Sequence, residues 1–305
     1  MSAQPITGLP VVLTIAGTDP CGGAGIQADL RAFAAMGVAG ASVVTAVLAQ
    51  NTQGVSGIHT VPPSVVARQI DAVAKDLPIS AVKIGLLSDA RIVSTVAGRI
   101  GRRDLANVVL DPVIAASDGT VLLPPRAVTR LMEDLLPRVL VVTPNIPEAE
   151  ILSGIAIKND DDVIEAATRI GAVGPKWVLV KGGHSNSADT VVDILWQGTG
   201  VTRFEGERLT GGPVRGTGCL LSAAIAGGLA HGMSVPDSVS RAREFVANAI
   251  RTAVAIGKGS RVWVGTRIGP RPGWNEEARL VATRGEDQLL DEPTPTAFDH
   301  DEWSW

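Results

Sequence analysis

The chain has 305 residues, 45% of them hydrophobic and 19% charged, with a formal net charge of −4. That length holds one large α/β domain or two small ones, and the mild acidity speaks against a basic nucleic-acid-binding surface. Two cysteines, Cys21 and Cys219, make neither a disulfide framework nor a zinc spacing, so a reducing compartment is the simpler expectation.

In chain order, residues 1–10 lack the basic flank and apolar core of a signal peptide. No later apolar run is long enough to span a bilayer, and a cytoplasmic protein is expected. Residues 11–15 predict a first strand, ending in Ala16-Gly17-Thr18. A helix follows over 26–36, a second strand over 42–48 and a second helix over 64–74. The runs 81–84, 108–110, 139–142 and 177–180 are short and β-branched. They lack polar alternation, as strands buried on both faces do. Helical segments over 89–99, 126–135 and 161–170 lie between them. Such alternation predicts an α/β fold with a mostly parallel sheet covered by helices. Residues 190–195 and 201–204 flank Gly198-Thr199-Gly200 and predict an antiparallel hairpin at one edge. Helices over 217–230 and 236–256 close the pattern. From Asn275 to Trp305 there are nine Asp or Glu and two Arg. A domain over 1–270 and a loosely ordered acidic extension over 271–305 are therefore expected.

In an open parallel sheet, ligands bind beyond the C-terminal strand ends. Glycines and polar residues gather there: Gly17-Thr18-Asp19, Gln50-Asn51-Thr52, Gly85, Asp111, Asn145 and Lys181-Gly182-Gly183-His184. Gly216-Thr217-Gly218-Cys219 opens an apolar, small-residue helix, whose free N–H groups and positive dipole end suit an anion. The same field favours a thiolate at Cys219. Gly22-Gly23-Ala24-Gly25 before Ile26-Gln27-Ala28-Asp29 reads as a ligand loop, because glycines allow close backbone approach. In Thr143-Pro144-Asn145-Ile146-Pro147-Glu148, Asn145 can hold water or phosphate and Glu148 a hydrated Mg²⁺. The same residues also suit a proline-bounded turn with Glu148 in the first turn of a helix. Lys181 can neutralise a polyphosphate or lie on the surface, and Asp111 can meet substrate or metal or cap a loop. There is no Walker A pattern, Rossmann fingerprint, paired-histidine zinc motif or Gly-x-Ser-x-Gly elbow.

Several segments together resemble the hydroxymethylpyrimidine/phosphomethylpyrimidine kinases of thiamine biosynthesis. They are Leu13-Thr14-Ile15-Ala16-Gly17-Thr18-Asp19-Pro20, Gly22-Gly23-Ala24-Gly25-Ile26-Gln27-Ala28-Asp29-Leu30 and Ala49-Gln50-Asn51-Thr52-Gln53-Gly54-Val55. Lys83-Ile84-Gly85-Leu86-Leu87, Asp111-Pro112-Val113, Thr143-Pro144-Asn145-Ile146-Pro147-Glu148-Ala149, Val180-Lys181-Gly182-Gly183-His184 and Gly216-Thr217-Gly218-Cys219 follow in family order.

The resemblance implies a ribokinase-like fold, ATP and Mg²⁺ as cofactors, and a homodimer. It implies a pyrimidine pocket at Gly17, Ala24, Leu48, Gln50, Leu86 and Val113, with Gln50 on the ring. Asp19 and Asp29 are assigned to the same substrate side. Asn145, Glu148 and Lys181 match the ATP side, with Glu148 toward the metal. Gly216, Thr217 and Gly218 match an anion hole and Cys219 the base. The chain departs from the family pattern at several places. No basic residue occurs over 114–119, Arg215 stands where His is usual, and Cys21 and Leu86 replace the usual serine and methionine. Gly257-Lys258-Gly259 is separated from Gly269-Pro270. Pyridoxal kinase and a non-catalytic vitamin-binding relative are the alternatives. A thiazole kinase would lack the signature at 22–29.

Overall fold

The computed structural model describes residues 8–116, 119–184, 189–198 and 200–265, and Thr283. The chain divides into two compact units, Met1–Gly265 and Thr266–Trp305. The acidic extension, Gly269-Pro270, and Ser117 and Asp118 of the loop without lysine lie outside the described residues, Thr283 excepted.

The described elements run β1 (Val11–Ala16), α1 (Gly25–Ala35), β2 (Ala39–Val44), β3 (Ala46–Gln50), β4 (Val55–Thr60), α2 (Pro63–Asp76), β5 (Ile79–Ile84), α3 (Ala90–Arg103) and β6 (Val108–Leu110). Then come α4 (Pro125–Arg130), β7 (Val141–Val142), α5 (Ile146–Ser153), α6 (Asp160–Ala172), β8 (Trp177–Val180), β9 (Thr190–Gln197), β10 (Gly200–Glu207), β11 (Val214–Arg215), α7 (Thr217–Ala230), α8 (Val235–Thr252) and β12 (Arg261–Val262).

An eight-stranded sheet has the order β10-β9-β8-β7-β6-β5-β1-β2. Pairing is parallel from β2 through β8. The predicted hairpin of β9 and β10 adds two antiparallel strands at one edge. Successive side chains on a strand face opposite ways, and both faces are apolar. Leu13 and Ile15 of β1 join the core under α2 to α6, with Ile70, Val93, Leu152 and Ile170. Val12 joins the core under α1, α7 and α8, with Phe33, Ile225 and Val239. This is the mostly parallel, helix-covered sheet expected from the strand–helix alternation, and it agrees with the ribokinase-like fold that the family resemblance implies.

β1 lies between β2 and β5, so the chain leaves it toward one neighbour and later returns beside the other. That switch in strand order opens a crevice at the C-terminal ends of β1 and β5, where Gly17 and Leu86 stand.

The expected strand over 42–48 is two strands in different sheets. Thr45, fully buried, breaks the run. Its N–H donates to Ala16 O, its Oγ1 to Leu86 O, and its own carbonyl accepts from Val61 N. The chain therefore leaves the large sheet there, and β3 pairs with β4 in a separate hairpin. The expected helix over 126–135 is α4 followed by a π-helical turn at Leu131–Leu135. A 3₁₀ turn containing Pro137 then trims the strand expected over 139–142 to β7. Among the described residues no helix is long and apolar enough to cross a membrane.

Candidate active site

One cavity of about 1240 Å³ opens along the C-terminal strand ends. Gly17, Ala24, Leu48, Gln50, Leu86, Val113, Asn145, Glu148, Lys181 and the Gly216-Thr217-Gly218-Cys219 turn all line it. Leu48, Leu86 and Leu122, with Val113 packed against them, form one apolar wall.

Two glycines are required by the way the loops meet. Gly25 has φ +58°, and a Cβ there would lie 2.4 Å from the Gly17 carbonyl oxygen. Gly216 has φ +76°, and its Cβ would lie 1.9 Å from the Gly23 carbonyl oxygen. An L side chain is thus excluded at Gly216 by space and by conformation. Gly216 caps α7 without a side-chain partner, and the helical ladder begins with Leu220 N donating to Gly216 O. The N–H groups of Thr217, Gly218 and Cys219 precede that ladder, and all three residues line the cavity.

Charge surrounds this turn. Lys181 Nζ donates to Asp111 Oδ1 at 2.8 Å, directly beneath Gly218. Burial opposes the Lys181 ammonium, but Asp111 and Glu148 hold its pKa above the ordinary lysine value. Lys83 of β5 also lines the cavity. Its Nζ meets both carboxylate oxygens of Asp29, at 2.9 and 2.8 Å, with both side chains fully buried. Burial disfavours the Lys83 charge, yet Asp29, Cys219 and Asp111 keep it protonated.

Asn145 and Glu148 form a reciprocal capping box at the start of α5. The helix-start reading of these residues therefore holds, and both still line the cavity. Burial pushes the Glu148 carboxyl up to about 7, against the pull of Lys181. A buried carboxylate with that shift, beside Asp111, is a group that a divalent cation would neutralise. Among the described residues no group of three or more His, Cys, Asp or Glu could hold a metal. A single carboxylate suits Mg²⁺, which keeps waters and takes substrate phosphates.

Three expectations need correction. Asp19 does not line the cavity. It is fully buried, and its oxygens accept from Cys21 N, Ala24 N and Arg215 Nε. Asp29 is likewise buried under α1, taken by Lys83 and by the Thr14 hydroxyl at 2.6 Å. Both carboxylates shape the pocket from behind. Cys219 lies at the helix terminus as expected, but burial outweighs the dipole and the nearby Lys83, and its thiol is pushed up to about 11.

The structure also adds residues that sequence reasoning passed over. Lys83 sits in an apolar strand, where a lysine is itself a signal because buried lysines are nearly always paired. At the far end, Phe204 of β10 and Val246, Ala247 and Ile250 of α8 line the same cavity. Their apolar, helical spacing reads as core, and nothing local marks them.

A family model described as phosphomethylpyrimidine kinase matches residues 19–263. A hydroxymethylpyrimidine/phosphomethylpyrimidine kinase of Mycobacterium bovis is 45% identical over 82% of this chain and 91% of its own length. The thiamine biosynthesis bifunctional protein ThiED of Geobacter sulfurreducens is also 45% identical, over 81% of this chain, and the chain spans half of that protein's length. The structure of an ADP complex of Bacillus subtilis pyridoxal kinase matches with a TM-score of 0.78 at 32% identity, over 86% of this chain and 100% of that one. The matching motifs run in order along the strand ends that line the cavity, and by this match the chain belongs to the phosphomethylpyrimidine kinase family.

Proposed function

We propose that the chain transfers the γ-phosphoryl group of ATP to 4-amino-5-hydroxymethyl-2-methylpyrimidine, and then to the resulting monophosphate, in thiamine biosynthesis. The observation that carries this reading is the single continuous cavity. Gln50 and the leucine wall stand at one part of it, Lys181 and Glu148 at another, and the Gly216–Cys219 turn joins them.

Gln50 offers an amide to the ring, and Leu48, Leu86 and Val113 cover its faces. In its thiolate form, which burial makes scarce near neutral pH, Cys219 takes the proton from the hydroxymethyl oxygen as that oxygen bonds to the γ-phosphorus. The bond from phosphorus to the ADP oxygen then breaks. Thr217, Gly218 and Cys219 N–H groups and Lys181 stabilise the charge on the transferring group, which is most of what phosphoryl transfer asks of a protein. Phe204, Val246 and Ile250 hold the nucleotide base. Glu148, its carboxylate fixed by the Asn145 N–H, would hold hydrated Mg²⁺, which would neutralise phosphate charge. A cytoplasmic homodimer belongs to the same proposal. Light scattering in solution tests the dimer.

A pyridoxal kinase is the second reading, supported by the likeness to the B. subtilis enzyme. Measuring ATP consumption with the pyrimidine, its monophosphate and pyridoxal decides between them. Faster turnover of pyridoxal than of either pyrimidine would reverse the assignment, and turnover of none would leave a binding protein.

A further inference from the structure

Arg215 immediately precedes the Gly216 turn and lines the cavity. Its side chain is about nine-tenths buried. The backbone is pinned by pairing with Val262 in the short sheet of β11 and β12. From that anchor Nε donates to Asp19 Oδ2 at 3.3 Å and Nη2 donates to Gln50 Oε1. Asp19 is itself fixed by Cys21 N and Ala24 N. The guanidinium is therefore clamped between the first glycine loop and the end of β3.

An arginine only donates, so the edge of Gln50 that it meets must be the oxygen. The amide cannot flip without turning its N–H₂ toward a cation. Nε2 is thereby turned away from Arg215, where it donates to Thr18 O at 3.4 Å and has a second hydrogen that it can offer a ligand. We propose that Arg215 is the positioning residue that fixes the donor edge of Gln50 toward the substrate, so that the site selects rings presenting an unprotonated nitrogen. An aminopyrimidine presents such a nitrogen. A hydroxypyridine that carries its ring proton presents a donor to a donor, with a guanidinium close behind. The inference rests on the pyrimidine reading above.

The test is steady-state kinetics with hydroxymethylpyrimidine and with pyridoxal on the wild type, Arg215→Met, Gln50→Leu and the double variant. A hydrogen bond to a charged group, once lost, corresponds to a change of about 10- to 100-fold. Arg215→Met should raise the pyrimidine KM by that factor and shift the pyridoxal-to-pyrimidine ratio of kcat/KM upward by a similar one. In the Gln50→Leu background the same substitution should add less than about twofold, because Arg215 acts through Gln50. Equal effects with and without Gln50, or unchanged selectivity, overturn the inference while leaving the kinase reading intact. If the Met variant does not fold, Arg215→Lys keeps a cation for Asp19 but cannot span to Gln50, and wild-type selectivity in that variant overturns the inference. A wild type that phosphorylates neither ring overturns the substrate reading and this inference with it.

Discussion

Removing Lys83 tests the electrostatic frame behind the site. Lys83→Met keeps the length of the side chain and deletes the charge. Both partners of the ion pair are fully buried, and Nζ contacts both Asp29 oxygens. Breaking such a pair from one side costs about 3–5 kcal/mol, because the other charge stays buried without its partner. Each kcal/mol lowers the melting temperature of a large domain by roughly 2–4 °C, so a drop of roughly 6–20 °C is expected in calorimetry. The pH dependence has a definite sign. Burial already raises the Asp29 pKa above the ordinary carboxylate value, and Lys83 is the main influence lowering it. Without Lys83, Asp29 protonates more readily in the folded protein than in the unfolded one. Stability from that proton is fully present below the ordinary carboxylate range and is lost as pH rises through the raised value. The variant should therefore lie closer to wild type near pH 4 than near pH 8. Asp29→Asn added to Lys83→Met should recover most of the loss, since the Thr14 hydroxyl keeps an acceptor. A Lys83→Met difference under about 1 kcal/mol, or one that does not change with pH, would refute the reasoning and place this pair with weak surface ion pairs.

Cys219→Ser should lower kcat about 10²–10⁴-fold with little change in substrate affinity, the range for loss of a general base. With the thiol pushed up to about 11, wild-type kcat/KM should climb from neutral toward alkaline pH, and wild-type turnover in the serine variant would leave Cys219 as filler. Gly216→Ala forces a Cβ to 1.9 Å from a backbone oxygen and displaces the α7 donors. Turnover should fall at least ~10²-fold, as when one oxyanion donor is removed, and retention of wild-type turnover contradicts the anion-hole role. Lys181→Ala should raise the KM for ATP and also cost about 1–3 kcal/mol in stability, because buried Asp111 loses its charged donor and keeps only the longer contact from the Thr143 hydroxyl. An unchanged ATP KM refutes the phosphate role, and an unchanged melting temperature refutes the structural one.

Much of the frame was legible in the chain itself. The runs 108–110 and 177–180 match β6 and β8 residue for residue, because strands covered on both faces need unbroken apolar character. The span 217–230 matches α7, since a glycine turn opens it and His231-Gly232 closes it. The convergence of Gly17, Asn145 and Lys181 at the strand ends followed from parallel-sheet geometry, whereas Gln50 reaches the cavity from the separate β3–β4 hairpin and Gly216 from the small β11–β12 sheet.

Other features were decided only by packing. Thr45 splits an apparently continuous strand because its partners, Ala16, Val61 and Leu86, come from three distant parts of the chain. Asp19 and Asp29 carry the composition of ligand residues, yet burial turns them toward Arg215 and Lys83. Sequence gives the dipole at Cys219, whereas the thiol pKa depends on how much solvent α1 and β5 exclude. The cavity wall from β10 and α8 exists only because distant apolar segments fold over the same strand ends. Periodicity and composition thus determined which faces are apolar and where the chain turns. Charge states and partners inside the site came from tertiary structure, because desolvation and pairing depend on segments far apart in sequence.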